Sequence, residues 1–172
     1  MKYILSTIAT LLFSVSPMAQ KPLNVGDAVP NFSLKDQNGK IFNMKDEIGK
    51  HIYVIYFYPK DESMVCTKEA CAFRDSFNDY TKAGAQVIGI NGGTFESHKK
   101  FEEHYKLPFV LLSDPDNLVN KMFGVKKVMF MSGRQTFVVD LKGKIAFSYT
   151  SMMEGTEHSK QALAVVQSLK AK

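Results

Sequence analysis

Cys66 and Cys71 are the only cysteines in this chain of 172 residues, and they lie five positions apart. Cys66 follows an aromatic and β-branched run, residues 53–58, which predicts a buried strand, and residues 67–80 have the apolar spacing of a helix. We therefore expect Cys66 at a helix N-terminus. Unpaired backbone N–H groups and the helix dipole favour the thiolate there, and the thiolate is the reactive form of cysteine.

The helix terminus alone is too weak to ionise a thiol at neutral pH. It supplies up to about 1 kcal/mol at an exposed site, whereas lowering a thiol pKa from about 8.5 to about 6 takes about 3.4 kcal/mol. A second cationic or hydrogen-bonding partner is therefore expected elsewhere in the chain.

The spacing of the two cysteines favours a redox cycle over a structural crosslink. Residues five apart in a continuous helix lie about 7.5 Å apart along its axis, beyond the limit of about 7 Å on the Cα separation of a disulfide. A bond between Cys66 and Cys71 would require that turn to unwind. The alternative is a static bridge in an exported protein, although closing so short a loop would stabilise the fold little.

Several motifs of this chain are typical of one enzyme family. The cysteine segment contains Phe57-Tyr58-Pro59-Lys60-Asp61 and then Ser63-x-x-Cys66-Thr67-x-Glu69-Ala70-Cys71. Further motifs, from about residue 23 onwards, include Gly26-Asp27-x-x-Pro30, Leu112-Ser113-Asp114 and Arg134-Gln135-Thr136-Phe137. Together they resemble peroxiredoxins of the AhpC/TSA superfamily, specifically the PrxQ or bacterioferritin-comigratory-protein type. Relatives generally have Thr-Pro-Gly-Cys where this chain has Ser63-Met64-Val65-Cys66.

The resemblance implies a role for each cysteine. Cys66 matches the peroxidatic cysteine, whose thiolate attacks the peroxide O–O bond and becomes a sulfenic acid. Cys71 matches the resolving cysteine, which condenses with that sulfenic acid to form an intramolecular disulfide. A thioredoxin or thioredoxin-like reductant would then reopen the disulfide, and no bound cofactor is implied.

Four more residues match the family's site. Arg134 would supply the missing positive charge, and Glu69 would orient it. Pro59 would shield the pocket, and the Ser63 hydroxyl would hydrogen-bond peroxide and thiolate. Three of the four have a simpler alternative: a surface ion pair for Arg134, a solvated first-turn charge for Glu69 and a helix cap for Ser63.

The predicted function is a thiol-dependent peroxidase that reduces hydrogen peroxide or small alkyl hydroperoxides. An exported thiol–disulfide oxidoreductase is one alternative, but it is expected to carry Cys-x-x-Cys, whereas this chain has Cys-x-x-x-x-Cys together with Ser63 and Arg134. A noncatalytic redox sensor or binding module is another, because it would share the first chemical step.

Other charged and polar residues give weaker signals. The histidines have no metal-ligand spacing with the cysteines, so we expect no metal. Lys60, Asp61 and Lys68 are expected to be solvated. The net charge is +5, but the lysines are dispersed, so no nucleic-acid partner is expected.

The N-terminus predicts export. Residues 1–19 resemble a signal peptide, with Lys2 followed by an apolar run that is too short to span a membrane comfortably. We expect a periplasmic or extracellular protein, rather than a cytoplasmic one, without stable membrane insertion after processing. Residues 20–172 should form one domain, as a monomer or weak homodimer.

The pattern of elements predicts an α/β fold. Strands are expected at 52–58, 86–91, 109–112, 135–140 and 144–149, and helices at 65–82, 94–105, 116–123 and 158–170. An N-terminal β-hairpin turns at Asn38-Gly39. The order resembles the thioredoxin-like fold, a central mixed β-sheet flanked by helices, with the hairpin as an extension.

Overall fold

Seven strands and five helices make up the part of the chain that a computed structural model describes, residues 22–128 and 131–170. The predicted leader, residues 1–19, lies outside it. In chain order the elements are β1 Ser33–Asp36, β2 Ile41–Asn43, β3 Ile52–Phe57, α1 Met64–Asp75, α2 Phe77–Lys82, β4 Ala85–Asn91, α3 Phe95–Tyr105, β5 Val110–Ser113, α4 Leu118–Met122, β6 Gln135–Val139, β7 Ile145–Thr150 and α5 Gly155–Lys170. A short 3-10 helix, Met44–Asp46, follows β2.

The strands form one mixed sheet in the order β2-β1-β5-β4-β3-β6-β7. The pairs β3–β4 and β4–β5 are parallel, and the remaining pairs are antiparallel. The β1–β2 hairpin turns at Gly39, whose φ is +77°, a conformation that glycine adopts without strain. The predicted thioredoxin-like fold, with its mixed sheet and N-terminal hairpin, is confirmed. No helix among the described residues has both the length and the apolar character to cross the hydrocarbon of a membrane.

Strand β3 separates two cores, because its side chains alternate between the faces of the sheet. Val54 and Tyr56 pack on the face that carries α1 and α5, whereas Ile55 and Phe57 pack on the other face. The Tyr56 ring stacks on Phe73 of α1, with the ring centroids 4.6 Å apart. This contact fixes α1 against the end of β3, where the reactive segment begins.

The predicted helix over residues 65–82 is divided at Ser76. Helix α1 ends at Asp75, and α2 begins at Phe77. Serine competes with the backbone for hydrogen bonds and breaks helices readily. The change of direction lets the buried Tyr80 hydroxyl of α2 donate to the Ser159 carbonyl of α5 at 2.6 Å, which secures both helices to the same core.

Helix α5 begins at Gly155, three residues earlier than expected. A Cβ atom at position 155 would lie 2.7 Å from the Val65 carbonyl oxygen and 3.2 Å from the Glu69 Cβ. Glycine therefore lets the start of α5 approach the first turn of α1.

Gly155→Ala should lower the free energy of unfolding by about 1–3 kcal/mol, because backbone and α1 must move to accommodate the methyl group. The better helix propensity of alanine, worth up to about 1 kcal/mol, works in the opposite direction. Urea unfolding followed by circular dichroism would measure the change. Thr156→Ala, at the exposed neighbouring position, is the matched control, and equal stability of the two variants would contradict the close approach.

Candidate active site

Cys66 lies in the first turn of α1, and its side chain is only 1% exposed. It packs in the same apolar cluster as Tyr56 and Phe73. Cys71 lies on the same helix, is partly buried, and both thiols are free. Because α1 runs without a break from Met64 to Asp75, the two sulfurs cannot meet unless part of the helix unwinds.

Arg134 meets the Cys66 sulfur from the start of β6. Its Nη2 donates to Cys66 Sγ at 3.1 Å, and its side chain is only 2% exposed. The preceding Gly133 allows this approach, since a Cβ there would lie 2.0 Å from the Lys126 carbonyl oxygen. A buried cation therefore contacts the sulfur, which is the second partner that the thiolate requires.

Two further contacts fix the Arg134 guanidinium. Its Nη1 donates to Glu69 Oε2, and its Nε donates to the Met152 carbonyl oxygen at 3.2 Å. Glu69 follows Cys66 by three positions, so both side chains lie on the same face of α1. The surface ion pair and the solvated first-turn charge considered for Arg134 and Glu69 are both excluded, because the two side chains are buried.

The Glu69 carboxyl lies in an environment that disfavours its charge. Burial raises the pKa of Glu69 to about 8, although the attraction of Arg134 opposes the rise. Its Oε1 atom is buried and accepts no hydrogen bond from the described residues. When Glu69 is protonated, it no longer competes with the Cys66 sulfur for the positive charge of Arg134.

His158 of α5 also reaches this group, a contact that the sequence does not predict. Its Nδ1 lies 2.8 Å from the Thr136 Oγ1 and 3.5 Å from Glu69 Oε1, and its Nε2 lies 2.9 Å from the Ser151 carbonyl oxygen. Burial lowers the pKa of His158 to about 4, so the ring is neutral at pH 7. Position 158 alone gives no signal of this contact, because it lies 89 positions after Glu69 in the chain.

Ser63 precedes α1, and its hydroxyl donates to the Lys60 carbonyl oxygen at 3.2 Å and accepts no hydrogen bond from the backbone N–H groups of the helix. It is the N-cap residue by position but makes no side-chain capping hydrogen bond. Val65 lies within the helix, while the left-handed backbone of this loop is at Glu62, with φ +59°. The helix entry therefore forms without a Pro-Gly pair before Cys66.

Pro59 is half-buried and lines a cavity of about 580 Å³ at the end of β3. The wall of this cavity also includes Asp61, Asn91 and Ser97. Cys66 is not among the residues that line this cavity.

Asp61 was expected to be solvated, but that prediction is wrong, because its side chain is 5% exposed. It accepts hydrogen bonds from the Tyr58 and Ser97 hydroxyls at 2.7 and 2.6 Å, and it also contacts Asn91 and His98. Burial would raise the pKa of Asp61, but the hydrogen bonds outweigh burial and lower it. The carboxylate ties the loop after β3 to α3. Lys60 and Lys68 are exposed as predicted.

Within residues 22–128 and 131–170, no three acidic, histidine or cysteine side chains are grouped so as to hold a metal ion.

The family model and the curated relatives indicate the same family for this chain. The model of the AhpC/TSA family matches residues 25–148. Peroxiredoxin Q, chloroplastic, of Triticum aestivum is 48% identical over 146 residues, which cover 84% of this chain and 67% of that protein. Peroxiredoxin Q, chloroplastic, of Populus jackii is 46% identical over 149 residues, which cover 86% and 70%.

A solved structure is similar as well. The crystal structure of peroxidoxin BcpB from Mycobacterium tuberculosis superposes with a TM-score of 0.80 at 32% identity, covering 84% of this chain and 97% of that one. The resemblance to peroxiredoxins of the PrxQ type, drawn from the motifs, is confirmed.

These relatives correct one prediction. Export to a periplasm or to the cell exterior was expected, but that prediction is wrong, because both curated relatives named above are chloroplastic proteins. The apolar N-terminal run that prompted the prediction lies outside the described residues.

Proposed function

Because the chain belongs to the AhpC/TSA family and is a thiol-dependent peroxidase, we propose that Cys66 is the residue that attacks the peroxide. The observation that carries this assignment is the contact of 3.1 Å between Arg134 Nη2 and Cys66 Sγ in the first turn of α1. A buried guanidinium and a helix N-terminus both stabilise a thiolate at that sulfur.

The first step oxidises the sulfur by two electrons. The Cys66 thiolate attacks one peroxide oxygen, the S–O bond forms as the O–O bond breaks, and the other oxygen leaves as water or an alcohol after taking up a proton. Arg134 stabilises the negative charge that develops on the oxygens, because its guanidinium is already oriented and needs no rearrangement. The product is a sulfenic acid on Cys66.

The second step forms a disulfide. The Cys71 sulfur attacks the Cys66 sulfenic acid, an S–S bond forms, and water leaves. Helix α1 must unwind between the two residues for this step, since both lie in one continuous helix in the reduced structure. A thioredoxin-like dithiol then supplies two electrons and restores both thiols.

Three other residues support the first step. Glu69 orients Arg134 through its contact with Nη1. Pro59 keeps bulk water from the sulfur. Ser63 donates to the peroxide after its hydroxyl rotates away from the Lys60 carbonyl oxygen, which it contacts in the absence of substrate.

The protein acts on hydrogen peroxide and small alkyl hydroperoxides, needs no bound cofactor, and works as a monomer or weak homodimer without stable membrane insertion. Residues 20–172 form the working domain, and residues 1–19 remain a predicted leader.

Sustained peroxide consumption tests this function. With hydrogen peroxide, thioredoxin, thioredoxin reductase and NADPH, the full chain should consume peroxide over many turnovers, and Cys66→Ser should consume none. Reduction of insulin disulfides without peroxide consumption would favour the oxidoreductase instead. A single stoichiometric oxidation without turnover would favour the redox sensor.

A further inference from the structure

Arg134 is anchored at two places, and the His158 side chain contacts the first anchor and the residue before the second. The first anchor is the Glu69 carboxyl, and the second is the Met152 carbonyl oxygen. His158 lies against the first through Nδ1, 3.5 Å from Glu69 Oε1. It lies against the second through Nε2, 2.9 Å from the carbonyl oxygen of Ser151, the residue before Met152.

The hydrogen-bond partners of His158 determine its tautomer. A carbonyl oxygen only accepts hydrogen bonds, so the Nε2 that faces Ser151 carries the proton. The neutral ring then presents Nδ1 as an acceptor, toward the Thr136 hydroxyl at 2.8 Å and toward Glu69. This acceptor faces the one Glu69 oxygen that has no partner among the described residues.

We propose that His158 is a positioning residue of the peroxidase site, holding both the Glu69 carboxyl and the Ser151–Met152 backbone so that Arg134 stays directed at the Cys66 sulfur. The proposal rests on the proposed function of Cys66. No step of the reaction requires His158 to touch peroxide or to exchange a proton with the sulfur.

The arrangement predicts a pH dependence. We expect a protonated Glu69 to direct its hydroxyl from Oε1 toward His158 Nδ1, 3.5 Å away, which leaves Arg134 free to stabilise the thiolate. An ionised Glu69 competes with the sulfur for Arg134, so the oxidation rate should fall at alkaline pH. Removing the acceptor at Nδ1 should move this alkaline fall to lower pH, because protonated Glu69 loses its partner.

The other charged or titratable groups around His158 come from several elements. Arg134 precedes β6, Glu154 precedes α5, and Tyr149 of β7 packs its ring against the imidazole, with centroids 4.8 Å apart. The Tyr149 hydroxyl donates to Glu154. Unlike these three groups, Glu69 is a buried carboxyl with one oxygen that has no hydrogen-bond partner among the described residues, so it is the group whose protonation His158 affects.

Two substitutions separate the two contacts. His158→Gln keeps an amide donor near the place of Nε2 and removes the acceptor at Nδ1. His158→Asn keeps an acceptor near the place of Nδ1 and removes the contact with Ser151. His104→Asn is the control, because His104 is an exposed histidine that contacts Glu62.

The experiment measures the rate constant of Cys66 oxidation by hydrogen peroxide from pH 5 to 10, by stopped flow, with melting curves of each variant. Both His158 variants should react about 5- to 50-fold more slowly at pH 7, and His104→Asn should stay within about twofold of wild type. In His158→Gln the alkaline fall should move to lower pH by at least about half a unit, and in His158→Asn it should not move.

Several outcomes would overturn the proposal. Oxidation rates equal to that of the wild type in both variants would overturn it. Equal slowing of both variants with no change in the pH profile would also overturn it, because such a result indicates a purely structural effect. If neither variant folds, Thr136→Val provides the test. It keeps the shape of the side chain but removes the hydroxyl that contacts His158 Nδ1, so that Glu69 is the remaining donor to this nitrogen. The alkaline fall should then move to higher pH, and an unmoved fall would overturn the proposal. A wild type that does not react with peroxide would refute the proposed function instead.

Discussion

Arg134→Met should lower the rate constant for oxidation of Cys66 by hydrogen peroxide by about 100- to 1000-fold, the usual effect of removing one oriented donor from a reacting oxyanion. Arg134 is the cation that contacts the sulfur, and in the proposed mechanism its guanidinium stabilises the charge that develops on the peroxide oxygens. Arg134→Lys should lose about 10-fold or more, since an ammonium group cannot hold the sulfur, Glu69 and Met152 in one planar arrangement. Stopped-flow measurement at pH 7 would give both values.

The lower rate constant of Arg134→Met should reflect lost stabilisation of the reacting groups rather than an unpaired charge on the Glu69 carboxyl. Burial already raises the pKa of Glu69 to about 8, so the carboxyl is expected to be neutral when Arg134 is removed. Arg134→Met with Glu69→Gln should therefore react as slowly as Arg134→Met alone. Arg74→Met is the matched control, because this arginine of α1 bonds Asp75 and the Tyr105 carbonyl oxygen. A rate for Arg134→Met close to that of Arg74→Met would contradict the role of Arg134.

Cys71→Ser should reduce steady-state turnover with a thioredoxin-like reductant by more than about 100-fold, because the sulfenic acid on Cys66 loses its partner. The first oxidation should stay within about threefold of wild type, since the Cys71 sulfur is not among the groups that hold Arg134. Coupled NADPH consumption measures turnover, and stopped flow measures the first step.

Retained turnover in Cys71→Ser would mean that the reductant attacks the Cys66 sulfenic acid directly. Cys71 would then have no resolving role, although the assignment of Cys66 would stand. Loss of the first oxidation as well would mean that Cys71 supports the site in its reduced form.

The sequence predicts most of the fold because local patterns determine it. The aromatic and β-branched run in residues 52–57, the turn at Asn38-Gly39 and the helical spacing after Cys66 each depend on near neighbours. The break at Ser76 was missed because it serves a contact with α5, which is distant in sequence. The early start of α5 was missed for a similar reason, since glycine is required at position 155 only because Val65 and Glu69 lie close to it.

The site shows the same division. The motifs identify Cys66, Glu69 and Arg134 as candidate site residues, and the structure places these three in contact. Burial of Asp61 and the contact of His158 with Glu69 depend on residues from other elements, and no spacing along the chain encodes them. A polar side chain is buried only where partners converge on it, and convergence is a property of the tertiary structure.

The mass of the intact, reduced protein after one equivalent of hydrogen peroxide tests the central claim most directly, namely that Cys66 and Cys71 are a peroxidatic and resolving pair. The wild type should lose about 2 Da within seconds as the disulfide forms, Cys71→Ser should gain about 16 Da on Cys66, and Cys66→Ser should not change. An unchanged wild-type mass, or rapid oxidation of Cys66→Ser, would contradict the account.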